Sequence, residues 1–209
     1  MLLSQVRYPV HTLGFGVRAG VWTQGCRLAC EGCIAPHTWP ADPNAEVPVA
    51  EVVGWLASLP EFHGVTISGG EPLDQPGELL ELLRGVRRLG RSDCDVLLYS
   101  GRTWDAVRRA FPEVLEFVDT VVTGPFEAYR PSGHPLRGSA NQEVVTLTPL
   151  GRRRHGDLSD DEPRPLQVSV SPDGRLHTVG IPRGDDLARL ADAIAARGLK
   201  LVDPTWGTP

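Results

Sequence analysis

Three of the chain's four cysteines fall within the eight residues Cys26 to Cys33 of QGCRLACEGCIAPHTW, and no other feature restricts the fold as much. Offsets of four and three place Cys26, Cys30 and Cys33 on one face of any helix, so one reading is a buried helical stripe. Gly25, Gly32 and Pro36 argue against a continuous helix there. A loop punctuated in this way can instead wrap three thiolates around a metal centre. The opening MLLSQVRYPV lacks the basic start and long apolar stretch of a signal peptide, which points to a cytoplasmic protein. In that compartment clustered cysteines fit metal ligation better than a disulfide framework. Two metal readings stand open. With His37 as fourth ligand, the loop would form a closed Cys3His zinc site. Alternatively, the three thiolates hold three irons of a 4Fe–4S cluster and leave the fourth iron without a protein ligand.

Around this loop, short apolar runs alternate with amphipathic segments. GVRAGVWTQG, GVTISGG, DVLLYSG, VDTVVTGP and NQEVVTLTP read as strands. VPVAEVVGWLASLP, GELLELLRGVRRLG and TWDAVRRAF read as helices, with Pro76 and Gly90 bounding the second and Thr103 capping the third. Such alternation predicts an α/β fold with a parallel sheet, and five strands suggest a partial barrel open at the side. GRRRHGDLSDDEPRP, residues 151–165, reads as a charged linker or loop, and the run from Arg152 to His155 as its solvated face. Beyond it, LQVSVSPDGRLHTVGIP predicts a hairpin turning at Asp173-Gly174, and DDLARLADAIAARG a helix closed by Gly198. The expected organisation is a core over 1–150, the linker, and a β-β-α appendage over 166–209.

Further motifs sit at the predicted strand ends. In TISGGEPLDQP, Gly69 and Gly70 permit close approach of a ligand to the backbone, and Glu71 sets a carboxylate at the sheet's mouth. A plain glycine turn feeding a helix is the competing reading. Ser100 of YSG offers a hydroxyl suited to a ribose or carboxylate, or simply a serine-glycine turn. LRGSANQ supplies Arg137, Asn141 and Gln142, able to reach a ligand or to order their own loop. Cys94 stands alone before a strand and reads as a core thiol.

The cysteine spacing and the GGEP motif together resemble the radical S-adenosylmethionine superfamily. The string GFGVRAGVWTQGCRLACEGCIAPHTW is similar to the anaerobic ribonucleotide reductase activating enzymes, where G-P-G-x-R leads into Q-G-C and the three cysteines. Phe15 replaces the usual proline. LRGSANQ resembles their L-R-G-S-x-N-Q, whereas Thr123 of VVTGPF stands where those relatives carry aspartate. The resemblance spans about Val6 to Thr148. It implies a 4Fe–4S cluster on Cys26, Cys30 and Cys33, with S-adenosylmethionine held near Gly32, Cys33, Ile34, Gly69, Gly70, Glu71, Ser100 and Asn141. Glu71 would take the methionine ammonium, and His37 would have no ligand role. It further implies a glycyl-radical partner protein and an external reductant such as flavodoxin or ferredoxin. A small-molecule or peptide-modifying enzyme, for example one like the deazaguanine synthases, is the alternative within the superfamily.

A formal net charge of -5 does not suit a nucleic-acid or membrane-surface binder. No apolar run approaches the ~20 residues a membrane helix requires.

Overall fold

The computed structural model describes residues 1–160, 166–202 and 204. A six-stranded mixed sheet runs in chain order through β1 (Leu3–Val10), β2 (Arg18–Thr23), β3 (Gly64–Gly69), β4 (Asp95–Ser100), β5 (Thr120–Thr123) and β6 (Glu143–Thr146). The four central strands are parallel, while β1 and β6 pair antiparallel at the two edges. The expectation of a parallel sheet therefore holds only for the centre. Pattern alone does not mark β1 as a strand. Its polarity is mixed and Pro9 lacks a backbone donor, which a sheet tolerates at an edge, where β1 lies.

Because each crossover advances one strand in the same direction, right-handed connections stack the helices on one face. These are α1 (Val49–Ser58), α2 (Pro76–Arg88), α3 (Trp104–Ala110) and the single-turn α4 (Pro112–Leu115). Their Leu56, Leu79, Leu83 and Val107 form one core with Val21, Ile67, Leu98 and Val121 of the sheet. The expected boundaries are present: Pro76 opens α2, Gly90 follows it at φ +68, and Thr103 accepts from Ala106 N at α3.

Alternate residues of the strands face the other way, and that surface is partly charged. Arg18 and Asp95, both fully enclosed, pair in bidentate fashion at 3.0 and 2.7 Å. Arg18 also donates to Thr66 Oγ1, Phe15 O and Val65 O, so its five N–H groups all have acceptors. Gly64 leaves the room for it, since a Cβ there would collide with the guanidinium.

The stretch expected as a linker from residue 151 begins instead inside a helix, α5 (Pro149–His155). Thr148 Oγ1 caps it by accepting from Gly151 N, and Gly151 lets it lie directly against the Asp119 carbonyl. The run from Arg152 to His155 is thus not simply solvated. Arg154 bonds Asp95 at 2.6 Å, and His155 is enclosed against Thr120. Residues 161–165 of the expected linker lie outside the described residues.

The predicted hairpin and helix are found as β7 (Gln167–Val170), β8 (Leu176–Val179) and α6 (Asp186–Ala195), with Gly174 and Gly198 at positive φ. Val179 packs against Val10, Leu13 and Trp22, and the Gln167 side chain bonds Pro9 O and His11 N. Among the described residues, no helix is long and apolar enough to cross a membrane.

Candidate functional site

At the carboxyl ends of the parallel strands, Thr23 lies level with Gly69, and Ser100 with Thr123. This is the end at which open α/β sheets receive ligands. The chain leaves β2 directly into the cysteine loop. Gly25 N donates to Thr38 O at 2.8 Å and Cys26 N to Trp39 O at 3.0 Å, closing the loop's neck. Gln24 Nε2 reinforces it through His37 O and Pro40 O. Inside the neck the backbone turns through positive φ at Gly25, Ala29 and Gly32, so the helical-stripe reading is overturned. A left-handed alanine between the first two cysteines is a local strain that only a tightly determined loop retains.

Cys26, Cys30 and Cys33 are all half-buried, whereas Cys94 is buried as expected of a core thiol. Backbone donors meet the sulfurs: Ala35 N lies 3.4 Å from Cys33 Sγ, and the amides of Ala29 and Leu28 bond Cys26. Burial raises the Cys26 thiol above its ordinary range, the two amides oppose this, and the Glu71 charge adds to it. Among the described residues, no three His, Cys, Asp or Glu side chains converge as a single-ion site requires. His37 joins no such group. A cluster asks for something different, because each thiolate takes a separate iron.

The GGEP segment lies against the neck. Gly70 N donates to Thr23 O and Glu71 N to Gly25 O, both at 2.8 Å. Any Cβ on Gly70 would strike the Gly25 carbonyl, and one on Gly69 the Thr23 backbone. The close approach that these glycines permit is thus made, on this side, by the chain itself. Gly32 is crowded in the same way by Ala128, while Ile34 beside Cys33 is 43% exposed.

Glu71 is fully buried. Its Oε1 accepts from Leu73 N at 2.9 Å and Ser100 Oγ at 3.0 Å, and its Oε2 from Gly101 N at 2.8 Å. Burial raises its pKa, against the lowering effect of these donors and of Arg102. Ser100 Oγ accepts in turn from Arg102 N. Glu71 and Ser100 therefore tie the ends of β3 and β4 together.

In LRGSANQ, Gln142 orders the loop: its Oε1 accepts from Gly138 N and Ser139 N, and its Nε2 donates to Gly124 O. Arg137 reaches Asp160 and Gln142 O. Asn141 Nδ2 bonds Pro125 O, while its buried Oδ1 and the buried Thr123 Oγ1 have no partner among the described residues.

Sequence reasoning missed Asp74 and Arg102, which bond one another beside the loop. Asp74 lies two residues after GGEP and Arg102 directly after YSG, and their opposite charges were the available signal. It also gave Arg18 no partner, because Asp95 is 77 residues away.

Comparison with known proteins places these features in context. Residues 12–145 match the family described as a 4Fe-4S single cluster domain. An anaerobic ribonucleoside-triphosphate reductase-activating protein of Enterobacteria phage T4 is 30% identical over 65% of this chain and 87% of its own length. The protein of that name from Pasteurella multocida (strain Pm70) is 29% identical over 68% of this chain and 95% of its own. A pyruvate formate-lyase-activating enzyme of Staphylococcus aureus (strain USA300) is 34% identical over 52% of this chain and 46% of its own.

Proposed function

Because this chain belongs to the 4Fe–4S single cluster domain family, in its radical S-adenosylmethionine activating-enzyme branch, we propose that it activates a glycyl-radical partner protein. It is an enzyme, and the cofactors that membership implies are a 4Fe–4S cluster and S-adenosylmethionine. Reductive cleavage of the bound S-adenosylmethionine, yielding methionine and a deoxyadenosyl radical that abstracts hydrogen, is the chemistry the two supply together. The observation that carries this reading is the thiol loop seated on the GGEP backbone at the carboxyl ends of the sheet.

The residues present fit both groups. Three half-buried thiols with amide donors aimed at two of them suit thiolate ligation, since such donors favour the charged sulfur. We assign the irons to Cys26, Cys30 and Cys33. Asn141 Oδ1 and Thr123 Oγ1 are buried and have no partner among the described residues, as a site awaiting a polar ligand would leave them. We assign Gly69, Gly70, Asn141 and the Gly32–Ile34 edge to S-adenosylmethionine. Glu71 and Ser100, expected as direct contacts, have their known bonds within the chain. In this reading they act chiefly by holding the two strand ends in place, and Glu71 Oε2 keeps one acceptor position for the methionine ammonium.

The relatives named for activating ribonucleotide reductase and pyruvate formate-lyase support a protein substrate here. The antiparallel edges β1 and β6 leave the sheet unclosed, in keeping with a partial barrel whose side admits a protein loop. Electrons would come from a small reductant such as flavodoxin or ferredoxin, in the cytoplasm. The test is anaerobic reconstitution with iron and sulfide. It should yield a brown protein that forms deoxyadenosine under reduction and raises a glycyl-type spin signal on a candidate partner. Zinc without colour would overturn the reading, and turnover of a small metabolite with no protein radical would redirect it.

A further inference from the structure

Asp74 belongs to the turn after GGEP, and its carboxylate is divided between two neighbours. Oδ2 accepts from Arg27 N at 3.1 Å, the amide that follows Cys26 in the cysteine loop. Oδ1 accepts from Arg102 Nη2 at 2.6 Å. The Asp74 side chain is 10% exposed and that of Arg102 32%, so the pair is enclosed mainly on the carboxylate's side. Arg102 is anchored beyond this contact. Its amide donates to Ser100 Oγ, its carbonyl accepts from Gly124 N, and its guanidinium lies 5.5 Å from the centre of the Phe111 ring. Its buried Nε has no partner among the described residues, and Asp74 is the carboxylate that holds the head group. Through these two residues the cysteine loop, the GGEP turn and the ends of β4 and β5 are braced together.

We propose that Asp74 and Arg102 are a positioning pair for the cluster, holding the loop at Cys26 and setting the charge beside it, and thereby tuning how readily the cluster accepts an electron. The inference rests on the proposed cluster ligation but concerns residues outside it. Its physical basis is that net charge, hydrogen bonding to sulfur and solvent exposure set the potential of an iron–sulfur centre. Two carboxylates, Asp74 and the enclosed Glu71, face one cation, Arg102, whose charge acts on both. Removing the cation leaves net negative charge near the cluster and makes reduction harder. Removing Asp74 does the reverse. A role in folding alone would not produce opposite signs.

The test uses the full chain, reconstituted anaerobically, in four forms: wild type, Asp74→Asn, Arg102→Gln and the double variant. Potentiometric titration followed by the spin signal of the reduced cluster should give a higher midpoint for Asp74→Asn and a lower one for Arg102→Gln. The double variant should return toward wild type. In parallel, Asp74→Ala, which leaves Arg27 N without its acceptor, should lose iron to a chelator about tenfold faster, the equivalent of one charge-assisted hydrogen bond. Asp74→Asn keeps an oxygen for that amide and should hold iron nearly as well as wild type. Equal midpoints in all four, or single variants that shift in the same direction, would overturn the proposal. A wild-type chain that takes up no cluster would instead refute the proposed function, before any variant is compared.

Discussion

Acidification should weaken this fold well before Asp95 protonates, and His155 is the reason. The ring is enclosed between α5 and the sheet, with Nδ1 2.9 Å from Thr120 Oγ1 and Nε2 accepting from Phe15 N at 3.4 Å. That amide needs a lone pair on Nε2, so the neutral ring keeps its proton on Nδ1. Burial lowers the pKa from the ordinary 6.5 to about 4; Asp95 opposes the shift, while Arg18 and Arg154 add to it. The 3.9 Å approach to Asp95 is accordingly no ion pair at neutral pH. The unfolded chain takes up this proton near pH 6.5, whereas the folded chain resists until about pH 4. The resulting stability is intact above pH 6.5 and drains away as pH falls toward 4. At about 1.4 kcal/mol per unit the loss is roughly 2 kcal/mol by pH 5 and about 3 kcal/mol below pH 4.

The assay is chemical denaturation between pH 7.5 and 4.5 on wild type and His155→Gln, whose amide can still bond Thr120. Burial also lowers His37 and His177, which contribute with the same sign, so the quantity to read is the difference between the two proteins. Asp95 does not intrude. Burial would raise its pKa, but the bonds and charge of Arg18 outweigh this and hold it below the ordinary 3.8. Its share of stability is therefore lost only under stronger acid. Parallel pH profiles for the two proteins would refute the argument.

Other substitutions probe separate parts of the molecule. Alanine at Cys26, Cys30 or Cys33 should abolish cluster uptake and deoxyadenosine formation, whereas Cys94→Ala should leave iron content near wild type, as measured by elemental analysis. Glu71→Gln puts an amide where three donors converge and should weaken S-adenosylmethionine binding about tenfold while sparing the cluster, read by titration into reconstituted protein. Gly64→Ala drives a methyl into the Arg18 guanidinium and should cost roughly 2–3 kcal/mol of stability, visible as a lowered thermal midpoint without change in iron content.

Local signals account for what could be read without coordinates. The helices α2 and α3 announce themselves through Pro76, Gly90 and Thr103, and the β7–β8 hairpin through Asp173-Gly174, because each depends on residues a few positions apart. The start of α5 carried a comparable signal, Thr148 followed by Pro149, but the dense charge after it suggested solvent. What buries that charge is Asp95, 59 residues from Arg154. Polarity therefore misled wherever a distant partner of opposite charge stood waiting.

The candidate site repeats this division at finer scale. Three closely spaced thiols in a glycine-punctuated loop suggest metal ligation by chemical type, so that expectation needs no knowledge of the fold. The work assigned to Glu71 does need it, because a carboxylate at a strand end serves a ligand and a backbone equally well. Its bonds to Ser100 and Gly101 come from the end of β4, and no spacing within GGEP encodes their arrival. The same holds for the glycines. Gly70 is small because Gly25 of the cysteine loop lies on it, a contact spanning two strands of the sheet. The motif residues thus fit one another first, and the surface proposed for the ligand is what remains on their far side: the loop edge from Gly32 to Ile34, and the oxygens of Thr123 and Asn141 that have no partner among the described residues.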